Sequence, residues 1–457
     1  MGSHQVPTLL LALALISLLA FAAGAVARHL RQPPVIGEVV LGILLGPTLL
    51  SGAVSDTLFP EDIRPFLSAL ATIGVVLFMY TVGTELNAGL LRGRRVVAGT
   101  VAAGSIAAGS IAAGSIAVPF GLGALLALHL YASHPTDSKT GFVLFMGAAM
   151  SVTAFPVLAR ILIDRGLSRT WLGSVALACA AIDDVLAWTL LAVVVAVAGA
   201  GGGSLSALLF LPYLLLMFAV VRPLLRRLLD DRVTGGQPRP TALLVTLVGL
   251  LTSAAVTDWI GLHFIFGAFL FGVVMPRAAT TPEHGVTAQV GDRISHLNGL
   301  LLLPIFFVVA GLKVDLSTMD VGDLVELALI LAVAVGGKFV GAFTAARLGG
   351  VPARSATALA VLMNTRGLTE LIILAVGLEL GMLDGQLYSS MAVMALVTTA
   401  MAGPLLQLLY PVAATPRRSG TRRTSGRSGG EGLGTETAPR DERRKSEIDQ
   451  VQHHEPG

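Results

Sequence analysis

Charge is what this sequence has least of: only 13% of its 457 residues are Asp, Glu, Lys or Arg, against about 25% in an ordinary soluble domain. That deficit excludes a water-soluble globular fold, because hydrophobic residues make up 54% of the chain and gather in runs longer than about 18 residues. Cysteine is nearly missing as well. Cys179 stands alone, so no intramolecular disulfide forms and the redox compartment is unreadable. Lysine is rare beside arginine, which makes a lysine inside an apolar run conspicuous. The loops are short, and neither a nucleophile–base pair nor a metal-ligand spacing appears, so an enzyme is the least expected reading. No Gly-x-Gly-x-x-Gly follows the last apolar run, so no nucleotide-binding regulatory domain, cofactor or nucleic-acid partner is expected.

What is present is a succession of apolar runs, at roughly 7–27, 35–53, 66–86, 96–131, 140–163, 169–198, 204–221, 240–258, 260–276, 297–312, 322–346, 353–379 and 387–410. These predict an all-α integral membrane protein of about 13 transmembrane helices. The first run ends in Ala25-Val26-Ala27, as a signal peptide does, but positive charge follows it at Arg28 and Arg31 instead of preceding it. It therefore reads as a retained span with the N-terminus outside. That orientation gives the cytoplasm Arg28/Arg31, Arg92/Arg94/Arg95, Arg165/Arg169, Arg222/Arg226/Arg227/Arg232/Arg239, Arg277/Arg293 and Arg347/Arg354. The outer loops keep only Arg64, Lys139 and Lys313, so the positive-inside rule predicts a multi-pass cell-membrane protein with a cytoplasmic C-terminus. Two domains are expected: a transmembrane part over 1–411 and a disordered tail over 412–457, rich in Arg, Ser, Gly, Thr and Glu.

The run 96–131 is too long for one straight span of about 20 residues. It holds a tandem repeat, Ala102-Ala103-Gly104-Ser105-Ile106, copied at 107–111 and 112–116. Five is not a helical period. A small-residue packing strip is one reading; a neutral expansion of repetitive coding sequence is the favoured one.

The chemistry gathers at a few polar residues in apolar surroundings. Asp183 and Asp184 lie mid-span, where a carboxylate costs about 2.5–3.5 kcal/mol or more and an aspartate is too short to reach the interface. Neighbours sit about 100° apart around a helix, so the two address different sectors, and close carboxylates titrate as a coupled pair. The same oxygens then hold either a metal ion or a proton. Lys338 is also mid-span and needs an anionic partner, most economically one of the two aspartates; the alternative is a lysine lining a cavity alone. Two stretches read as broken helices. In Ser151-Val152-Thr153-Ala154-Phe155-Pro156 hydroxyls precede Pro156, and Asn364-Thr365-Arg366-Gly367-Leu368-Thr369-Glu370 is too polar for lipid. They lie about 210 residues and seven spans apart, an odd offset that gives them the opposed orientation of inverted repeats. Arg366 and Glu370, at i and i+4, are expected to neutralise each other. Glu38 and Glu85 are expected to be structural, and His263 to be packed beside Phe264.

These motifs resemble the second monovalent cation:proton antiporter family, in the branch of plant cation/proton exchangers and fungal and bacterial potassium/proton antiporters. The resemblance runs through Gln32-Pro33-Pro34-Val35-Ile36-Gly37-Glu38, Gly42-Ile43-Leu44-Leu45-Gly46-Pro47 and Ser151-Val152-Thr153-Ala154-Phe155-Pro156-Val157-Leu158-Ala159-Arg160. It continues through Asp183-Asp184-Val185-Leu186-Ala187-Trp188, Gly261-Leu262-His263-Phe264-Ile265-Phe266-Gly267, Leu303-Pro304-Ile305-Phe306-Phe307 and Asn364-Thr365-Arg366-Gly367-Leu368-Thr369-Glu370-Leu371. It implies an inverted-repeat antiporter fold with two crossed broken helices, an elevator-type mechanism and a homodimer. It also implies Asp184 as principal cation and proton ligand, Asp183 as its companion paired to Lys338, and Thr153 beside the site. Plant relatives often carry Asn-Asp where this chain has Asp-Asp, and the second acid leans towards electrogenic exchange. The transported ions are then Na+ or K+ against H+, with membrane lipid as surroundings. A cation channel or uniporter, and an organic-solute symporter of the same fold, are the competing readings.

Overall fold

Backbone N–H and C=O groups in lipid must pair within their own segment, so each apolar run becomes a helix. The computed structural model describes residues 5–48, 53–86, 98–165, 170–198, 212–229, 240–276 and 286–409, apart from a few single positions within and between these ranges. The tail expected at 412–457, and Arg92, Arg94, Arg95, Arg169, Arg232, Arg239 and Arg277 among the orienting arginines, lie outside them, as does the side chain of Glu85.

Fifteen helical segments, besides a short helix at Ala53–Leu58, carry the described chain. They begin with α1 (Gln5–His29), α2 (Pro34–Leu45), α3 (Arg64–Leu86), α4 (Ala98–Leu130), α5 (Lys139–Ser151), α6 (Phe155–Asp164) and α7 (Trp171–Ala198). Then come α8 (212–228), α9 (Pro240–Trp259) and α10 (Phe264–Val274). Next is α11, which runs from Val286 to Leu312 through a π-helical turn at Asn298–Leu302. The last are α12 (Val321–Leu348), α13 (Ala353–Met363), α14 (Leu368–Glu379) and α15 (Gly385–Leu409). Nine spans among the described residues are long and apolar enough to cross a membrane, and the pair α13–α14, bent by 43°, makes a tenth. The shorter apolar helices α2 and α10, with α8, fill the remaining positions expected from the sequence. The chain is thus a multi-pass, nearly all-helical membrane protein.

The inverted repeat is legible in the packing. α2 meets α11 where Gly42 faces Gly311, and a Cβ on Gly42 would lie 2.9 Å from the Gly311 Cα. α10 meets α3 in the same manner, with 2.9 Å from a Cβ on Gly272 to the Gly83 Cα. Small residues let helix backbones touch where apolar burial gives no driving force between helices. α4 and α12 meet in a third such contact, in which Gly114 faces Gly341 and a Cβ on Gly114 would lie 2.7 Å from the Gly341 carbonyl.

That third contact gives the small-residue packing reading of the repeat support in one of its three copies. Five residues turn a helix by about 500°, so each copy faces about 140° away from the last. A Cβ on Gly109, in the second copy, would meet nothing, whereas Gly114 in the third is packed against α12. The third copy is a helix–helix contact.

The turn between α4 and α5 is held by a buried histidine. His134 Nδ1 lies 2.5 Å from Asp384, which caps the start of α15, and its Nε2 lies 3.0 Å from Glu326 on α12. With a carboxylate at each ring nitrogen, the imidazolium is favoured, and the Asp384 bond in particular raises the His134 pKa from 6.5 to about 9. A raised folded-state pKa gives stability that is complete below pH 6.5 and lost as pH rises through about 9. His263 packs against Phe264 as expected, with the rings tilted and their centroids 4.2 Å apart, and it also pairs with Glu379 at 3.2 Å. The His134 clamp gives a prediction. The gap in apparent melting temperature between wild type and His134→Gln should be constant below about pH 6.5, correspond to on the order of 1–3 kcal/mol, and close by about pH 10. A gap independent of pH would contradict the clamp.

Candidate functional site

Both helix breaks expected from the sequence are present, and they cross. α5 ends at Ser151, the chain runs extended through Val152-Thr153-Ala154, and Pro156 sits in the first turn of α6, where its missing N–H costs nothing. α13 ends at Met363 and α14 starts at Leu368. Where the extended pieces meet, Ala154 N–H donates to the Thr365 carbonyl at 3.0 Å, and the Thr153 hydroxyl lies 2.9 Å from the Met363 carbonyl.

A broken helix leaves orphan carbonyls and the negative end of its dipole in the bundle interior. Two buried cations meet them. Arg366 donates to the carbonyls of Ala149 at 2.9 Å and Met150 at 2.6 Å, while Lys338 donates to the Ser151 carbonyl at 2.5 Å. Arg366 also pairs with Glu370 at 3.0 Å, as the i, i+4 spacing predicts. Glu370 lies in the first turn of α14, where the helix dipole favours a negative charge.

Asp183 is the centre of the cluster. Its oxygens accept from the Ser115 hydroxyl at 2.8 and 3.0 Å, from the Thr153 hydroxyl at 2.7 Å and from Lys338 Nζ at 3.2 Å. Lys338 places its third donor on Thr153 Oγ1 at 2.6 Å, so all three ammonium hydrogens have acceptors. Four elements thereby converge: α4, the α5–α6 break, α7 and α12. Asp184 occupies the next position of α7, about 100° further round, and is 1% exposed. Asn364 is buried at the second break, and the Thr365 hydroxyl turns back to the Leu362 carbonyl at 2.8 Å; neither side chain joins the Asp183 cluster by these bonds.

Ser115 was not singled out in the sequence. Its signal lay inside the repeat, in which three identical serines gave no reason to prefer one. Only the register of α4 against α7 selects the third.

Five ionisable side chains are buried at the crossing among the described residues: Asp183, Asp184, Glu370, Lys338 and Arg366.

Removing one partner of a buried ion pair costs about 3–5 kcal/mol, whereas replacing both by neutral groups is often tolerated. Lys338→Met should therefore lower the melting temperature of detergent-solubilised protein sharply, and the double variant Asp183→Asn/Lys338→Met should regain most of the loss. A double variant as unstable as the sum of the single ones would contradict the pairing.

Comparison with known proteins fits this geometry. The family described as sodium/hydrogen exchanger, transmembrane, matches residues 14–410. The chain is 39% identical over 401 residues to the Na(+)/H(+) antiporter NhaS4 of Synechocystis sp., covering 86% of this chain and 94% of that one. It is 37% identical to Cation/H(+) antiporter 17 of Arabidopsis thaliana, over 89% of this chain and 49% of that one. It is 34% identical to K(+)/H(+) antiporter 1 of Saccharomyces cerevisiae, over 84% and 44%. The chain thus spans about half the length of the plant and yeast relatives. In fold it is similar to the solved structure of the sodium proton antiporter MjNhaP1 from Methanocaldococcus jannaschii, with a TM-score of 0.58 and 15% identity over 88% of this chain and 96% of that one. With a match running through every span from the first to the last, this chain belongs to the sodium/hydrogen exchanger family.

Proposed function

We propose that this protein is a secondary active transporter that exchanges Na+ or K+ for protons, with Asp184 as the shared cation and proton ligand and Asp183 as its companion. The observation that carries this reading is the pair of adjacent carboxylates, Asp183 and Asp184, buried beside the crossed breaks. An ionised carboxylate shut away from water on both sides costs several kcal/mol unless it is neutralised. One monovalent cation neutralises one charge, and so does one proton. Occupation by one removes the electrostatic reason for the other, and that competition is the basis of exchange.

Asp183, tied to Ser115, Thr153 and Lys338, holds α7 against the first break and fixes the frame in which Asp184 works. Thr153 lies at the junction, bonded to Asp183 and to Lys338, so a change at the carboxylates is felt directly in the broken helix. Family membership and the crossed breaks support alternating access of the elevator type. In this mechanism α4–α7 and α12–α15 move as one body past the remaining helices, in a homodimer. Trp188 on α7 packs against Phe269 on α10 at 6.4 Å, and His263 on the turn before α10 pairs with Glu379 at the end of α14. Both contacts cross between the two bodies and would be remade in each cycle. The distribution of arginines supports an outer N-terminus and a cytoplasmic C-terminus.

In proteoliposomes carrying an imposed pH gradient, added Na+ or K+ should dissipate the gradient, and titrating both ions at several pH values gives the selectivity. Asp184→Asn should lower the rate by at least a hundredfold with the protein still folded. Undiminished exchange in that variant would overturn the assignment of the ligand. Cation flux without proton movement would replace antiport by a channel.

A further inference from the structure

At the end of the bundle that carries His134, α14 meets α3, α10 and α11 across a cleft of about 50 Å³ lined by Ser68, Thr72, His263, Lys313 and Glu379. α14 belongs to the body proposed above to move, and the other three helices to the body it moves past. Polar contacts bridge the two bodies at this end. Tyr388 on α15 donates to the Ala310 carbonyl of α11 at 3.0 Å, and His263 Nε2 lies 3.2 Å from Glu379 Oε2. A phenol and a peptide carbonyl do not ionise near neutral pH. An imidazole does.

The placing of that pair is unusual. Gly261, at φ 79°, closes the turn after α9, and His263 follows as the N-cap of α10. Glu379 is the last residue of α14. Each charge stands at the wrong end of its own helix, because the dipole disfavours a cation at an N-terminus and an anion at a C-terminus. Across the cleft the relation reverses: His263 reaches the C-terminal end of α14, and Glu379 the N-terminal end of α10. Contact relieves both helix ends at once, and separation leaves both charges misplaced. His263 is buried against Phe264, whereas the Glu379 side chain is half exposed, so the pair is open to protons from the solvent on this side. Lys313, just past α11, also acts on Glu379. Asp258 in the last turn of α9 is exposed, and Asp384 in the turn after α14 is held by His134. Of these residue types, only histidine ordinarily changes its charge between about pH 5 and 8.

We propose that His263 and Glu379 form a pH-operated latch between the two bodies. The proposal rests on the two-body reading above. Protonation of His263 makes the bond charge-assisted and holds α14 against α10. As pH rises and the proton leaves, a neutral hydrogen bond and the attraction of Lys313 remain, and the bodies part more readily. The latch therefore restrains exchange at mildly acidic pH on this side, the outer one in the orientation proposed above, and releases it at alkaline pH.

The test uses the full chain in liposomes at equal pH inside and out, carrying Cys179→Ala and spin labels on Ser68→Cys of α3 and Leu380→Cys beside Glu379. Pulsed electron resonance then gives the distance across the cleft. Between about pH 5.5 and 8.5 the close-approach population should fall by about threefold, as expected for a partly exposed ion pair. His263→Gln keeps a neutral donor toward Glu379 and should hold that population level over the same range. Glu379→Gln should do the same, and it serves as the test should His263→Gln be misfolded. Asp184 also exchanges protons in the proposed cycle, but it is unchanged in both variants, so their difference from the parent isolates the latch. A pH response as large in both variants as in the parent overturns the latch and leaves the two-body motion standing. So does a distance that responds to added Na+ or K+ but not to pH. A distance that responds to neither overturns both.

Discussion

The structure is organised around the placing of Lys338. Its ammonium lies within 3.2 Å of three acceptors: the last carbonyl of α5, the Thr153 hydroxyl and the Asp183 carboxylate. Each acceptor comes with a cost that a bilayer interior would otherwise impose, namely an orphan helix end, a buried hydroxyl and a buried charge. One cation offsets all three, which allows a helix to break in mid-membrane and an aspartate to lie beside the break. Arg366 does the same for the two preceding carbonyls of α5 and for Glu370. With these pairings made, both breaks are tied into the interior beside the Asp183–Asp184 pair.

Much of this was legible in the sequence because membrane energetics makes polar residues stand out. Asp183, Asp184, Lys338, Arg366 and Glu370 are conspicuous against apolar neighbours, and all are buried. Their pairing followed from charge, and the helix breaks from Pro156 and the polar run after Met363. What could not be read was register. Ser115 is chemically identical to Ser105 and Ser110, and choosing among them requires the rotation of α4 against α7. The same holds for Gly114, whose role depends on facing Gly341 across two helices far apart in the chain. His134 was missed for a different reason: it lies in a short connection, and its partners Glu326 and Asp384 are about 190 and 250 residues away. Nothing local marks such a clamp.

The two ends of the bundle are finished with opposite chemistry. One is drawn together by a histidine between two carboxylates, which ties the α4–α5 turn to α12 and α15. The other gathers arginines around a cavity, one of them held in a backbone conformation that arginine rarely takes. α15 runs from one to the other and passes the second break on the way, where Thr399 donates to the Arg366 carbonyl at 2.7 Å. A single helix therefore connects both ends to the buried charges, and a change at either end has a physical route to the crossing.

The central claim is that one buried negative charge is satisfied alternately by a cation or by a proton. It is tested most directly by counting protons released when cation binds to purified protein, using calorimetry in two buffers of different ionisation enthalpy. The account predicts release approaching one proton per cation bound at a pH where the site is protonated, and none in Asp184→Asn. Tight cation binding that releases no proton at any pH would contradict it.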